Sequence, residues 1–129
     1  MIPNSLEQRL KRIAFNNAYK VLSNKIHFSF IVERTRIICW GYNKIRKSHP
    51  LAAQYEHRFN DIHAELAAIS NFPYRVRYLK NFSLFNLRIR RDNGQFAMAM
   101  PCLHCQTMLT EFGLNEVYFT NSNGVWSQL

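Results

Sequence analysis

Apolar residues recur along the first part of the chain at a helical spacing. Leu6, Leu10, Ile13, Ala14, Val21 and Leu22 fall near one face at a period of 3.6, which predicts an amphipathic helix over residues 5–22. Ser5 with Gln8 fits a capping box at its start, and Arg9, Lys11, Arg12 and Lys20 fall on the solvent side. The period then changes to two. Ile26, Phe28, Phe30 and Val32 alternate in "IHFSFIVE", a predicted strand over 26–33, and "IICWGYN" (37–43) predicts a second strand returning by a hairpin through a polar turn at Glu33–Arg36. A polar loop from Lys44 to about Glu56 leads into a helix from roughly Arg58 to Ser70, which Pro73 cannot continue. "FSLFNLRIR" (82–90) predicts a third strand, "DNG" a turn, and "QFAMAM" a return as strand or extended chain. Pro101 suits the first turn of a helix running to about Phe112, with Gly113 as its stop. "EVYFT" predicts a fourth long-range strand, and "VWSQL" pairs back across "NSNG" as a short antiparallel fifth. The order α β β α β α β β predicts an α/β domain, a mixed five-stranded sheet with helices on both faces and an antiparallel C-terminal hairpin.

Composition narrows the class. The 129 residues predict a single domain over 1–129, and 47% hydrophobic with 19% charged residues is an ordinary globular balance. No run of 18 apolar residues occurs, and "MIPNSLEQRLKRIAF" lacks the apolar core of a secretory signal, so an intracellular, cytoplasmic location without a membrane partner is expected. Three cysteines, an odd number, argue against a disulfide framework. Cys39 lies in the apolar run "RIICW" and reads as a buried small hydrophobe. Cys102 and Cys105 form a close pair suited to metal or redox chemistry. The net charge of +9 is local: no acid occurs between Leu66 and Arg91, whereas Arg75, Arg77, Lys80, Arg88, Arg90 and Arg91 do, and Lys44, Arg46 and Lys47 form a second basic run. Such an excess favours polyanions or phosphorylated substrates over a merely solvated surface.

Two stretches carry the chemistry, "HAE" at 63–65 and "PCLHC" at 101–105. Cys102 and Cys105 are three apart, so both thiolates can face one side of a first helical turn. With His63 they make three zinc-type ligands and leave the fourth tetrahedral position for water, the pattern of a catalytic site. A structural zinc would need a fourth ligand. His104 points away from the cysteines on a helix, and His57 lies more than a turn from His63. Glu65 need not be a ligand; a carboxylate there can take a proton from the attacking water and return it to a leaving group.

H-x-E followed by P-C-x-x-C is the signature of the zinc nucleobase deaminases, and this sequence resembles the zinc-dependent cytidine/deoxycytidylate deaminase superfamily over most of its length. The resemblance implies a three-layer α/β/α sandwich of the cytidine deaminase-like fold, Zn2+ held by His63, Cys102 and Cys105, and Glu65 as proton shuttle while ammonia leaves the ring. It also implies that the backbone N–H of Ala64 orients the base and that Asn43, in "GYN", contacts the sugar. "KIRKSHPLA" and the Arg-rich strand before "PCLHC" resemble small phage-type members, which makes His49 a candidate for substrate or phosphate. Trp126 is the leading candidate to stack on the base, ahead of Trp40, Tyr42 and Phe119. His63, where cytidine deaminases of free nucleosides carry Cys, resembles the branch acting on deoxycytidylate, guanine, tRNA adenosine and polynucleotides; the C-terminal hairpin resembles the free-nucleoside branch. The resemblance implies cytosine-to-uracil conversion, and the basic runs favour single-stranded DNA as its substrate, with Arg46, Lys47, Arg88, Arg90 and Arg91 tracking phosphates. The alternatives are a deaminase of free (deoxy)cytidine or deoxycytidylate, and a degenerate zinc-binding module.

Overall fold

The computed structural model describes residues 2–45, 49–50, 54–55, 61–74 and 78–129. Helix α1 (Asn4–Asn17) buries Leu6, Leu10 and Ala14, three positions four apart that line one stripe. The predicted capping box does not form. Pro3 takes the N-cap position, where a side-chain acceptor is lacking, and Ser5 is already inside the first turn. The helix also ends earlier than its periodicity predicts. A single 3-10 turn over Ala18–Lys20 follows, after which Val21 is buried and Leu22 is 81% exposed. Val21 therefore fits the apolar pattern from extended chain, not from a helical turn.

Strand β1 (Lys25–Glu33) pairs antiparallel with β2 (Arg36–Tyr42) across a turn in which Arg34 takes φ 57°. The register slips by a bulge between Ile31 and Val32. Two short strands, β3 (Lys44–Ile45) and β4 (Asp61–Ile62), form a separate antiparallel ladder. Helix α2 (Ala64–Ser70) follows directly. Its start lies later than the predicted Arg58: residues 56–60 are outside the described residues, and Asp61–Ile62 are held extended by pairing with Lys44–Ile45.

Strand β5 (Ser83–Arg90) pairs antiparallel with β1 along its whole length and parallel with β7 (Glu116–Thr120) at Ser83–Asn86. Beyond that stretch β6 (Phe96–Ala97) pairs with Arg88 and Ile89. The last strand, β8 (Trp126–Gln128), closes the expected antiparallel hairpin on β7. The path β2-β1-β5-β7-β8 is the five-stranded mixed sheet of the sequence reading, and β6 makes it six-stranded. Helix α3 (Leu103–Glu111) begins after Pro101, which precedes the N-cap Cys102 instead of occupying the first turn. Gly113, at φ 82°, ends it.

Two apolar clusters lie on the two faces of the sheet. One packs α1 against Phe28, Phe30, Val32, Phe85 and Leu87. The other packs α2 and α3 against Ile31, Cys39, Leu84 and Val117. The result is the three-layer α/β/α sandwich. On the second face α2 lies so close to β2 that a Cβ at Gly41 would come within 2.4 Å of the backbone nitrogen of Ala68. Only glycine permits that approach.

Candidate metal centre and active site

Both halves of the motif open a helix. His63 is the N-cap of α2, in extended conformation (φ −71°, ψ 155°), and Cys102 is the N-cap of α3. The chain enters each helix from an extended segment, so each side chain stands at the helix mouth. Cys105 follows one turn into α3 and is fully buried, while Cys102 is exposed. The Cys105 backbone N–H donates to Cys102 Sγ at 3.4 Å. One ligand atom from each of His63, Cys102 and Cys105 lies within 4.8 Å of the others. His63 Nδ1 is 3.6 Å from Cys102 Sγ and 3.3 Å from Cys105 Sγ. Zinc bonds of about 2.3 Å to sulfur and about 2.0 Å to nitrogen in tetrahedral geometry separate donors by roughly 3.5 Å, so the two His63–sulfur separations already suit the ion, and the donor set fits it.

The electrostatics of the three groups are unequal. The Cys102 thiol is pulled down to about 3, first by the hydrogen bond from the Cys105 thiol and then by His63 and the Cys105 backbone N–H. Cys105 is pushed up because it donates that bond, because it is buried and because Glu65 is close. His63 is raised, chiefly by its hydrogen bond to Cys102. Cys102 is already a thiolate, so the protons that a binding cation would displace are those of the Cys105 thiol and of a protonated His63. Glu65, in the first turn of α2 and only 6% exposed, has its carboxyl raised by burial. Its Oε2 accepts from Asn86 Nδ2 at 3.0 Å.

These are the arrangements of a known family. The "Cytidine and deoxycytidylate deaminase zinc-binding region" matches residues 4–121. The chain belongs to that family. Its fold is similar to that of solved deaminases at low identity. The dCMP deaminase from the cyanophage S-TIM5, in complex with dCMP and dUMP, superposes with a TM-score of 0.61 at 15% identity, covering 95% of this chain and 85% of that one. Cytidine deaminase from Burkholderia pseudomallei gives 0.63 at 20% identity over 95% and 90% of the two chains. Cytidine deaminase from Mycobacterium leprae gives 0.60 at 19% over 98% and 94%. No curated relative matches by sequence.

The remaining site candidates of this deaminase-family chain are distributed as follows. Ala64, 2% exposed, is the first residue of α2, between ligand and carboxylate. Asn43 clamps the end of β2 to β1: its Oδ1 accepts from the His27 backbone N–H at 3.0 Å and its Nδ2 donates to the Lys25 carbonyl at 2.8 Å. His49 Nε2 lies 3.3 Å from Ser70 Oγ, at the opposite end of α2 from His63. Trp126 packs edge-on to Phe85 (5.5 Å between centroids) in the α1 cluster, across the sheet from the thiolates. The expectation that it stacks on a base at the site is corrected by that placement. Of the basic set, Arg46 and Lys47 lie outside the described residues. Arg90 pairs with Asp92 at 3.0 Å, and Arg91 donates to the carbonyls of Val21 and Ser23. Arg88 is different: its Nε is buried without a hydrogen-bond partner among the described residues.

Three residues near the centre escaped the sequence reading. Asn86 and Ser29 are buried on β5 and β1, and His27 is paired across the sheet with Arg88. Burial first, then the charges of Arg88, Lys25 and His63, lower the His27 imidazole to about 4. A signal for them existed. His27, Ser29 and Asn86 are polar residues inside strongly apolar strands. Both faces of β1 are covered, so a polar residue there needs a specific partner. Among the described residues no helix is long and apolar enough to cross a membrane.

Proposed function

We propose that this protein is a hydrolase that deaminates cytosine to uracil in a free nucleotide or nucleoside, with deoxycytidylate the leading substrate. The observation that carries the reading is the convergence of His63, Cys102 and Cys105 within 4.8 Å beside the buried carboxyl of Glu65. Zinc held by those three residues would supply the Lewis acidity that makes a water acidic at neutral pH. Glu65 then has the proton work. Its carboxylate takes a proton from the attacking water, delivers it to the ring nitrogen and carries the second proton to the amine, which departs as ammonia. A carboxyl raised by burial is suited to both halves of that transfer. The Ala64 N–H, between His63 and Glu65 in the chain, would orient the ring.

The choice of a free substrate rests on the fate of the arginines. Two of the three assigned to β5 and its turn are engaged within the molecule, Arg90 by Asp92 and Arg91 by two carbonyls. Arg88 follows Asn86 by two positions on the same face of β5, about 7 Å along the strand, and among the described residues its half-buried guanidinium lacks a partner at Nε. Within this set of three, the one arginine not so engaged among the described residues suits a single phosphate. The family resemblance also runs to deaminases whose names specify cytidine or dCMP. A polynucleotide substrate is the second reading, favoured by the net charge of +9.

One assay separates them. The zinc-loaded protein is incubated with dCMP, deoxycytidine, cytidine and a single-stranded oligodeoxynucleotide, and uracil is quantified in each. Turnover of dCMP or of a nucleoside, with the oligonucleotide unchanged, is expected. Conversion of the oligonucleotide alone overturns the choice of substrate, and absence of uracil in every arm overturns the deaminase reading.

A further inference from the structure

Among the described residues, the buried polar or charged set is Ser29, Glu65, Asn86 and Thr120, and three of these four form one chain of hydrogen bonds. The chain crosses from sheet to helix. Ser29 on β1 and Asn86 on β5 are direct cross-strand partners, and Glu65 lies above them in the first turn of α2. The Ser29 hydroxyl donates to Asn86 Oδ1. Asn86 Nδ2 donates to Glu65 Oε2 at 3.0 Å and reaches the Ala99 carbonyl at 3.3 Å.

The direction of the amide is not arbitrary. A carboxamide has two donors on nitrogen and an acceptor on oxygen. Here both acceptors, a carboxylate and a carbonyl, lie on the nitrogen side, and the hydroxyl lies on the oxygen side. Turning the amide over would set its oxygen against two other oxygens. With no water-filled alternative at 0% and 3% exposure for Ser29 and Asn86, that arrangement is strongly disfavoured. The same amide joins the two halves of the site. Ala99 is three residues before Cys102, and its own N–H donates to Thr120 of β7 at 2.8 Å. Asn86 therefore ties the carboxylate that follows His63 to the segment that presents the cysteines.

We infer that Asn86 is a positioning residue for Glu65, holding one carboxylate oxygen so that the group stays aimed at the metal ligands, and that Ser29 sets the amide's orientation. The inference deepens the proposed deaminase reading and rests on it for its catalytic consequence. The hydrogen-bonded contact itself has a separate readout.

The test uses the zinc-loaded protein with Asn86→Leu, Asn86→Asp, Ser29→Ala and the double variant Glu65→Gln/Asn86→Asp. Bound zinc, thermal midpoint, kcat and KM are measured for each on the best cytosine substrate. Asn86→Leu keeps the volume and removes the donor. It is expected to retain zinc and to lose kcat per bound zinc by about 10- to 100-fold, the effect of a hydrogen bond to a charged group, with KM little changed. Ser29→Ala should show a smaller loss of the same kind. A merely structural role would lower zinc and activity together and leave kcat per zinc unchanged, and that result overturns the proposal. Asn86→Asp sets two carboxyls against each other and should lower the thermal midpoint. Adding Glu65→Gln restores a donor–acceptor pair with its polarity reversed and should bring the midpoint back. A double variant no more stable than Asn86→Asp overturns the proposal, and this holds even if Asn86→Leu does not fold. A wild-type protein inert toward every cytosine compound removes the deaminase reading, while the restored midpoint still decides whether Asn86 holds the Glu65 side chain.

Discussion

Glu65 and His63 stand two residues apart in the sequence and have opposite requirements. Under the proposed reaction His63 offers a lone pair to a cation, and Glu65 gains and loses a proton. Glu65→Gln keeps the side chain's shape and its place beside Asn86 but cannot carry a proton. The expected outcome is zinc binding equal to wild type by metal analysis, with kcat lower by about 10²- to 10⁴-fold. His27 gives a prediction with a sign. Its pKa falls from 6.5 to about 4 in the folded protein. A neutral imidazole is thus favoured in the fold, and the unfolded chain binds more protons between those values. The stabilisation is complete above pH 6.5 and is lost as pH falls toward 4, at up to about 1.4 kcal/mol per pH unit. Denaturant unfolding of metal-free protein between pH 4 and 7 should show that slope, and His27→Gln should flatten it. The zinc ligands and Glu65 were legible because two short motifs with fixed internal spacing name them. Ser29, Asn86 and His27 were not, because their roles depend on which strands lie side by side, and pairing is not written in any one segment.

At the level of elements, Gly41 sets how closely α2 lies on β2. A Cβ there would meet the Ala68 nitrogen at 2.4 Å and the Ala67 carbonyl carbon at 2.5 Å, backbone atoms that cannot rotate away. Gly41→Ala must displace α2, and His63 opens that helix. A loss of about 1–3 kcal/mol, as for overpacking elsewhere, is expected in thermal unfolding, together with weaker zinc retention against a chelator. Unchanged zinc affinity would show that the helix mouth does not follow the helix body. Period and turn residues were enough to place β1, β2, β5, α3 and the terminal hairpin to within a residue or two. The boundaries that failed share a cause. Val21 and Leu22 continue the apolar period of α1 although the chain has already left the helix, and residues 61–62 look helical until their partner strand at 44–45 is known. In each case a tertiary contact overrode a local pattern.

For the molecule as a whole, the net charge of +9 does not by itself say which cations meet a ligand. Among the described residues Arg88, Arg90 and Arg91 line one groove with Asn24 and Asp92; Arg90 is tied to Asp92 and Arg91 to the Val21 and Ser23 carbonyls, which makes Arg88 the candidate phosphate contact of that groove. Arg88→Gln is expected to raise KM for dCMP about 10-fold or more, in line with a lost charged hydrogen bond, while leaving KM for deoxycytidine near wild type. Equal effects on both would remove Arg88 from the phosphate. The direct pairing of Ser29 with Asn86 has a consequence of a different kind. Both residues sit on interior strands, β1 between β2 and β5, and β5 between β1 and β7. Amides in such strands exchange with solvent only when the sheet itself opens, whereas loops and termini open far more often. Under the proposed role of Asn86, the aim of Glu65 is therefore anchored in the part of the chain that opens last.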